Sequence, residues 1–371
     1  MARGRRGGVL IAGGGIAGCL AALALARRRP DVPLLIVEEQ ERFGGDRRRL
    51  LFEAEADGAD EAELIAPLAD HRWPGFYVAF PGFSRKLRAG MLAIGPDALH
   101  EAMTATLAPD QYRLGAKIVA VREDTLVLDG GEEIRAEGAI DARGAANLSM
   151  LDLLYETRLE RDYRLTAPHG VDRPVLIDAH GGAREGIGHV RCLPLAGDRI
   201  AIADVMVAEQ AQPDGDAGAR IDAYLALRGW TAAAIEAERI VARPLPIGGD
   251  FAAFWRIGGA RVAKIGLRGG FVHPATGRAT ADAARGALAL AAQTDFSGAA
   301  LHDAFEARAR AAWKKRAFAR ETNGAIAAAA PDARRAMIER LYALDPGLIE
   351  RFHAGRLGLL DRRKVTQALR G

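Results

Sequence analysis

The first apolar runs of the chain frame a glycine-rich turn. Residues 9–12 and 34–37 are apolar, and between them lies an Ala- and Leu-rich stretch, residues 16–29, that ends before Pro30. Short apolar runs predict buried strands, and the stretch closed by a proline predicts a helix. The order strand, glycine turn, helix, strand predicts the βαβ unit of a parallel sheet.

The pattern changes along the rest of the chain. Residues 117–121 and 125–128, followed by two glycines, predict a β-meander. Short apolar runs at 175–177 and 199–202 predict a second sheet, mixed or antiparallel. From residue 301 to the C-terminus the pattern is helical.

The glycine turn fits the sequence pattern GxGxxG of dinucleotide-binding units. Gly13 allows the tight turn, Gly15 allows close approach of a pyrophosphate, and Gly18 allows the helix to pack against the strand. The N-terminus of the following helix then offers free N–H groups and a favourable dipole to the phosphates. In its βαβ context the pattern predicts a dinucleotide site.

Glu38 ends the second strand about 20 residues after the last of these glycines, where a carboxylate accepts hydrogen bonds from ribose hydroxyls. A phosphate on that ribose would meet a like charge, so the site favours FAD or NAD over NADP. Gly44 and Gly45 follow shortly after, as they do in FAD-binding oxidoreductases.

A second glycine-rich loop precedes the helix expected after residue 277. Small residues there permit backbone approach to the ribityl chain and the isoalloxazine ring. Together with the first motif, this loop favours a flavin over a nicotinamide as the resident cofactor. The residues assigned to the flavin side are Gly266, Gly269, Gly270, Thr276 and Gly277.

The predicted fold class is α/β, with a Rossmann-type FAD-binding domain, an interleaved substrate domain built on a mixed or antiparallel sheet, and a helical C-terminal part. The expected bounds are 1–75, 95–165 and 260–300 for the discontinuous FAD-binding domain, 76–94 and 166–259 for the substrate domain, and 301–371 for the helical region.

Composition narrows the classes of function. Of 371 residues, 49% are hydrophobic and 27% charged, and a net charge of +3 is too small to predict a nucleic-acid partner. Cys19 and Cys192 are far apart and belong to no Cys/His cluster, so we expect neither a metal site nor a disulfide in a reducing cytoplasm. No run of 18 apolar residues occurs, so no membrane-spanning helix is expected.

A series of short motifs gives the chain a specific likeness. Between about residues 9 and 365, their order and approximate spacing resemble those of the bacterial lycopene β-cyclase family. The motifs are Trp-Pro-Gly at 73–75, Pro-His-Gly at 168–170, Ile-Asp-Ala at 177–179, Leu-Pro-Leu at 193–195, His-Pro-Ala-Thr-Gly at 273–277 and Glu-Arg-Phe-His-Ala-Gly-Arg-Leu at 350–357.

The resemblance implies a flavoenzyme that closes β-ionone rings at the ends of lycopene without net redox change. It implies FAD in its reduced form, NAD(P)H as the reductant, and a hydrophobic polyene as the substrate. It also implies a cytoplasmic protein that associates peripherally with the inner membrane. Oligomeric state stays open.

The chain departs from this family at substrate-side positions. Residues 46–49 are Asp-Arg-Arg-Arg where the family has Asn-His-Thr-Trp, and Arg191 and Arg278 replace aromatic positions. Ala203 stands where the family has the Glu that is its leading proton donor, followed here by Asp204.

These departures leave alternatives open. Asp204 is the expected acid, with Asp178 as the next candidate, and a strand-end Asp in a turn hydrogen bond is an equal alternative for Asp204. The arginines favour a second hypothesis, a flavin-dependent oxidoreductase or hydroxylase acting on a polar, anionic substrate. A third is a flavin-binding protein without catalytic activity.

Overall fold

The computed structural model describes residues 7–56, 58–181 and 187–371. Its strands are β1 (Val9–Ala12), β2 (Leu34–Val37), β3 (Arg49–Phe52), β4 (His71–Trp73), β5 (Phe76–Phe80), β6 (Phe83–Leu87), β7 (Met91–Ile94), β8 (Tyr112–Arg113), β9 (Ile118–Val121), β10 (Thr125–Leu128), β11 (Glu133–Arg135), β12 (Gly138–Asp141), β13 (Leu151–Leu165), β14 (Val175–Asp178), β15 (Ile187–Pro194), β16 (Arg199–Ala208), β17 (Ala232–Gly249) and β18 (Ala263–Lys264).

Helices cover the sheets and form the C-terminal part. They are α1 (Ile16–Arg28), α2 (Ala59–Ile65), α3 (Pro96–Thr106), α4 (Ala217–Leu227), α5 (Phe251–Arg256), α6 (Thr280–Ala291), α7 (Gly298–Lys315), α8 (Ala317–Ala328), α9 (Pro331–Ala343), α10 (Pro346–His353) and α11 (Leu359–Arg370).

The first sheet is parallel, in the order β18-β12-β1-β2-β8, with β1 in register between β12 and β2. All four residues of β1 are buried, as expected of a central parallel strand covered on both faces. Helix α1 packs against α6 on one face and carries the glycine turn at its N-terminus. The predicted βαβ unit is confirmed.

The second sheet has seven strands in the order β17-β13-β16-β15-β14-β5-β6, antiparallel except for the pair β14 and β5. It confirms the predicted mixed sheet. Helix α4 covers one face, where Val190, Cys192, Ile200 and Ile202 pack into a core with Ile221. Because side chains alternate along a strand, the residues between these point to the opposite face.

One predicted boundary does not match the sheets. Strand β13 spans residues 151–165, which we assigned to the FAD-binding domain, yet it is hydrogen-bonded along its length to β16 and β17 of the seven-stranded sheet. The segment therefore groups with the second sheet. The β-meander after residue 117 is confirmed as strands β9, β10 and β11.

The C-terminal region is helical from α7 to α11, as predicted. Helices α8 and α9 lie against β17 and β15, so they close the face of the second sheet that α4 leaves open. Across the described ranges of the chain, no helix combines the length and apolar character needed to cross a membrane.

Candidate functional site

Two cavities meet between the sheets. The first, about 310 Å³, surrounds the glycine turn and is called the glycine cleft; Gly13, Gly15, Glu38, Gly45, Gly266 and Gly277 are among its lining residues. The second, about 180 Å³, lies between the seven-stranded sheet and helices α8 to α10 and is called the sheet cavity. Residues lining both are Arg48, Leu50, Arg158, Arg243 and Arg278.

The glycine turn has the geometry that the sequence predicted. Gly13 has a φ of 102°, and a Cβ there would lie 2.9 Å from the carbonyl oxygen of Ala142. A Cβ on Gly18 would lie 1.9 Å from the carbonyl oxygen of Gly13, so the close helix-to-strand packing requires glycine. A Cβ on Gly15 would meet nothing within 4 Å and would project into open space at the cleft.

Glu38 lies at the carboxyl end of β2 and lines the same cleft. Its carboxylate accepts hydrogen bonds from the backbone N–H of Gly14 and, at 2.9 Å, from that of Gln40. These bonds fix the carboxylate beside the turn. Its contact with a ribose stays a prediction.

The predicted glycine pairs at 44–45 and 269–270 differ in where they lie. Gly44 and Gly45 line the cleft with φ values of 84° and 67°, and Gly44 donates its N–H to the carbonyl oxygen of Gly14 at 2.8 Å. Gly269 and Gly270 line neither cavity; a Cβ on them would meet Lys264 and Phe271 or the ring of Phe251.

On the opposite side of the cleft, Gly266 and Gly277 have positive φ values. A Cβ on Gly266 would lie 2.7 Å from that of Ala17 in α1. Thr276, predicted for the flavin side, lines the sheet cavity instead.

The cleft fits a dinucleotide pyrophosphate. Helix α1 begins at the cleft with a bare glycine as N-cap and no acidic residue in its first turn, so its free N–H groups favour an anion. Arg47 and Arg49 line the cleft, and Arg49 also donates to the carbonyl oxygen of Gly44. Burial, with Arg47 adding to it, lowers the pKa of Arg49 to about 10, which leaves it a cation at neutral pH.

The sheet cavity contains two carboxylates that the sequence did not single out, Glu156 and Glu160. Both lie on β13, where Glu156, Arg158, Glu160 and Asp162 occupy every second position and therefore share one face of the sheet. The alternation of charged residues in the sequence of β13 was the signal from which these carboxylates could have been found. The same pattern is typical of a solvated strand face, and only the packing of other elements shows that these four residues are buried.

Arginines surround these carboxylates. Arg158 donates to Glu156 at 3.1 Å and to Glu160 at 3.2 Å, and Arg243 donates to both oxygens of Glu156. Burial alone would raise the pKa of Glu156, but Arg243, Arg191 and Arg158 outweigh it and hold that pKa well below its usual range. Glu156 is therefore a carboxylate ion and has no proton to donate.

A hydrogen-bonded chain crosses the cavity wall from Arg278 to Tyr342. Arg278 Nη2 lies 2.6 Å from His353 Nδ1, and His353 Nε2 lies 3.1 Å from the Tyr342 hydroxyl oxygen. Burial, with Arg278 beside it, lowers the pKa of His353 well below its usual value, so the ring is neutral. A guanidinium only donates, so Nδ1 accepts and Nε2–H donates to Tyr342. The hydroxyl hydrogen of Tyr342 is then free to point into the cavity.

Comparison with known proteins assigns the family. The model described as lycopene cyclase protein matches residues 8–369. The lycopene beta-cyclase of Pantoea ananas is 32% identical over 96% of this chain and 93% of its own length, and that of Pseudescherichia vulneris is 32% identical over 96% and 92%. This chain belongs to the lycopene cyclase family.

Solved structures with low identity share the fold. A geranylgeranyl bacteriochlorophyll reductase-like protein from Thermoplasma acidophilum has a TM-score of 0.67 at 12% identity, covering 98% of this chain and 96% of that one. A flavin-dependent halogenase from Xanthomonas campestris has a TM-score of 0.62 at 15% identity, covering 99% and 94%. The Rossmann-type architecture predicted from the sequence is confirmed.

Within this lycopene cyclase family member, Asp204 does not lie at the sheet cavity. It is on the face of β16 that α4 covers, 2% exposed, and accepts from Arg220 Nε at 3.0 Å and Nη2 at 2.8 Å. The geometry contradicts our assignment of Asp204 as an acid acting in this cavity. The reason is strand alternation: Ala203 faces the cavity side, cross-strand from Glu160 and Arg191, and its neighbour must face the other way.

Asp178, the second predicted acid, also points away. Its carboxylate accepts from His180 Nδ1 at 2.8 Å and lies 3.4 Å from Arg228 Nη2. The cavity is lined by the flanking Ile177 and Ala179 but not by Asp178. The structure thus contradicts this assignment too.

The substituted family positions converge. Arg48, Arg191 and Arg278 come from three separate segments of the chain, and all three line the sheet cavity. These three departures from the family pattern therefore meet in one place, the sheet cavity next to the glycine cleft.

Replacing Gly15 by valine is expected to remove flavin without unfolding the protein, because the side chain enters the cleft without meeting protein atoms. The measurement is the ratio of flavin to protein absorbance after purification. The matched control is Gly324→Val in α8, where a Cβ also meets nothing within 4 Å. Full flavin content in Gly15→Val would show the pyrophosphate assignment to be wrong.

Asp204→Asn is expected to act on stability. A hydrogen bond to a charged partner contributes about 1.5–3 kcal/mol, so losing the carboxylate opposite Arg220 should lower the free energy of unfolding by about that much. Chemical denaturation measures it. If the free energy of unfolding is unchanged while conversion of the enzyme's substrate falls a hundredfold, the structural role assigned to Asp204 is refuted.

Proposed function

We propose that this protein is an FAD-dependent enzyme of carotenoid biosynthesis that closes β-ionone rings at the ends of lycopene, an isomerisation without net redox change. The observation that carries the proposal is the shared wall of the two cavities: an apolar cavity beside the cleft that fits the cofactor. Family membership supports it.

The residues that would hold FAD are those of the glycine cleft. The turn from Gly13 to Gly15 and the α1 N-terminus would bind the pyrophosphate, Glu38 the ribose, and the loop around Gly266 and Gly277 the flavin side. When bound and reduced by NAD(P)H, the flavin supplies negative charge that stabilises a developing carbocation.

The apolar part of the sheet cavity would position a polyene end. Leu176, Ile177, Ile338, Leu341 and Phe352 line it, and such walls exclude water that would otherwise capture a cationic intermediate.

Proton delivery is the weak step. Of the two carboxylates that line the cavity in the described ranges, Glu156 is ionised, and Glu160 is contacted by several guanidiniums. Glu160 lies cross-strand from Ala203 and is the candidate donor by position. We infer that cyclisation by this chain is slow.

A second candidate function is favoured by the arginines. A hydrocarbon has no group that can accept a hydrogen bond from a buried guanidinium. A polar, anionic substrate of a flavin-dependent oxidoreductase would supply such an acceptor. Tyr342, with its hydroxyl hydrogen free, would add a donor to such a substrate.

Expression in lycopene-accumulating cells should yield cyclic product at a low level. General-acid catalysis raises a reaction rate by roughly 10²–10⁴-fold, and the Glu that the family uses is absent here. Ala203→Glu combined with Arg191→Leu, which removes the cross-strand guanidinium that would hold the new carboxylate ionised, should raise conversion. Ala203→Gln in the same Arg191→Leu background, with the same shape but no acidic proton, should not. Pigment analysis measures both, with flavin content as the control.

Two results would count against this. Conversion as complete as that of the Pantoea ananas enzyme would refute the inferred slow step. Flavin-loaded parent protein and the double variant Ala203→Glu with Arg191→Leu that both leave lycopene linear while rapidly consuming NAD(P)H with oxygen would refute the cyclase and support the oxidoreductase.

We also propose peripheral contact with the cytoplasmic face of the inner membrane through α11. Leu359 and Leu360 are 79% and 71% exposed, beside the exposed Arg363 and Lys364, an arrangement suited to anionic lipid.

The double substitution Leu359→Asp with Leu360→Asp should reduce sedimentation of the protein with anionic vesicles, and high salt should release the parent protein from them. The control is Leu227→Asp, which removes a residue 78% exposed on α4. Equal loss in the control would contradict the assignment to α11.

A further inference from the structure

Arg191 is placed where a substrate would contact it. It lies on β15 between Val190 and Cys192, which pack into the core under α4, so its side chain points into the sheet cavity. The residue is 7% exposed. It lines the sheet cavity and not the glycine cleft, so the phosphates of a dinucleotide in the cleft are not its partner.

The guanidinium of Arg191 has little inside the protein to bind. Its Nε is buried and makes no hydrogen bond to any described residue. Its charge interacts with that of Glu156, and its ion-pair contact among the described residues is Glu160, with Nη2 3.8 Å from Oε2. That carboxylate is shared with three other arginines, Arg158 at 3.2 Å, Arg239 at 3.5 Å and Arg48 at 3.6 Å.

Positive charge is in excess around it. In the described part of the chain the connected network of ion pairs at this end of the cavity holds five arginines against three carboxylates. Its members are Arg48, Arg158, Arg191, Arg239 and Arg243 with Glu156, Glu160 and Asp162. Burial, with Arg158 beside it, lowers the pKa of Arg191 to about 10, so it remains a cation at neutral pH.

The space next to Arg191 is open. The residue directly cross-strand on β16 is Ala203, whose methyl group cannot reach the guanidinium as a longer acid would. Apolar side chains, among them Leu176, Ile338 and Leu341, form much of the remaining wall, together with Arg335. The cavity is thus amphipathic, with its cationic end beside the glycine cleft.

We propose that Arg191 binds the carboxylate of a substrate whose apolar isoprenoid chain lies in the rest of the sheet cavity. A guanidinium presents Nε and Nη donors in a planar fork that matches the two oxygens of a carboxylate. The inference rests on the proposed function in taking the sheet cavity as the substrate site and in taking the chain as isoprenoid. It names the substrate class as an isoprenoid carboxylic acid.

Calorimetric titration of the purified full chain with farnesoic acid and with farnesol tests this, because the two probes share one chain and differ in the head group. We expect the acid to bind at least tenfold more tightly. Arg191→Leu should remove that preference by weakening the binding of the acid and not of the alcohol. Arg191→Lys, which keeps the positive charge but not the planar set of donors, should retain part of the preference. Glu160 keeps its three other arginine partners in these variants.

Equal affinity of the parent protein for acid and alcohol would overturn the inference, as would an unchanged preference in Arg191→Leu. If Arg191→Leu fails to fold, the comparison of probes on the parent and on Arg191→Lys decides. Tighter binding of farnesyl monophosphate than of the acid would overturn the assignment to a carboxylate.

Failure of this inference is distinguishable from failure of the cyclase. Cyclic product from lycopene with no preference for the acid would overturn the inference and leave the proposed function standing. A clear preference for the acid, lost in Arg191→Leu, with no cyclic product in cells would support the inference and contradict the cyclase.

Discussion

Buried charge on β13 is the constraint on which the centre of the molecule depends. Four alternate residues of one strand, Glu156, Arg158, Glu160 and Asp162, are turned inward and covered by the C-terminal helices and the segment around Arg48. Removing ions from water is costly unless each finds a partner at short range. Arginines from β15 and β17, within the same sheet, and Arg48 from the segment before β3 form ion pairs with these residues.

This network also sets the chemistry at the junction of the two cavities. The glycine cleft presents N–H groups, bare glycines and arginines, all suited to an anionic dinucleotide. The sheet cavity combines apolar walls with a cluster of arginines, four of which also line the cleft. In this member of the lycopene cyclase family the two cavities therefore meet at a cationic wall.

Strand alternation explains why Asp204 lies away from the sheet cavity. Asp204 is adjacent in sequence to the position of the family's acid, but adjacent residues of a strand face opposite sides, so Asp204 binds Arg220 beneath α4. The carboxylates that do face the cavity come from β13, one strand away.

The sequence by itself determined the local features. The βαβ unit, the glycines at positions 13, 15 and 18, Glu38 at the end of β2 and the helical C-terminal region follow from patterns within a few tens of residues, because turn geometry and strand ends depend on nearby chain. Only the tertiary structure decided which face of β13 and β16 is buried, and hence which acids and arginines meet. Some of those contacts join residues far apart in the chain, 114 positions for Arg48 and Asp162. Alternation along a strand shows that two faces exist without showing which one other elements cover.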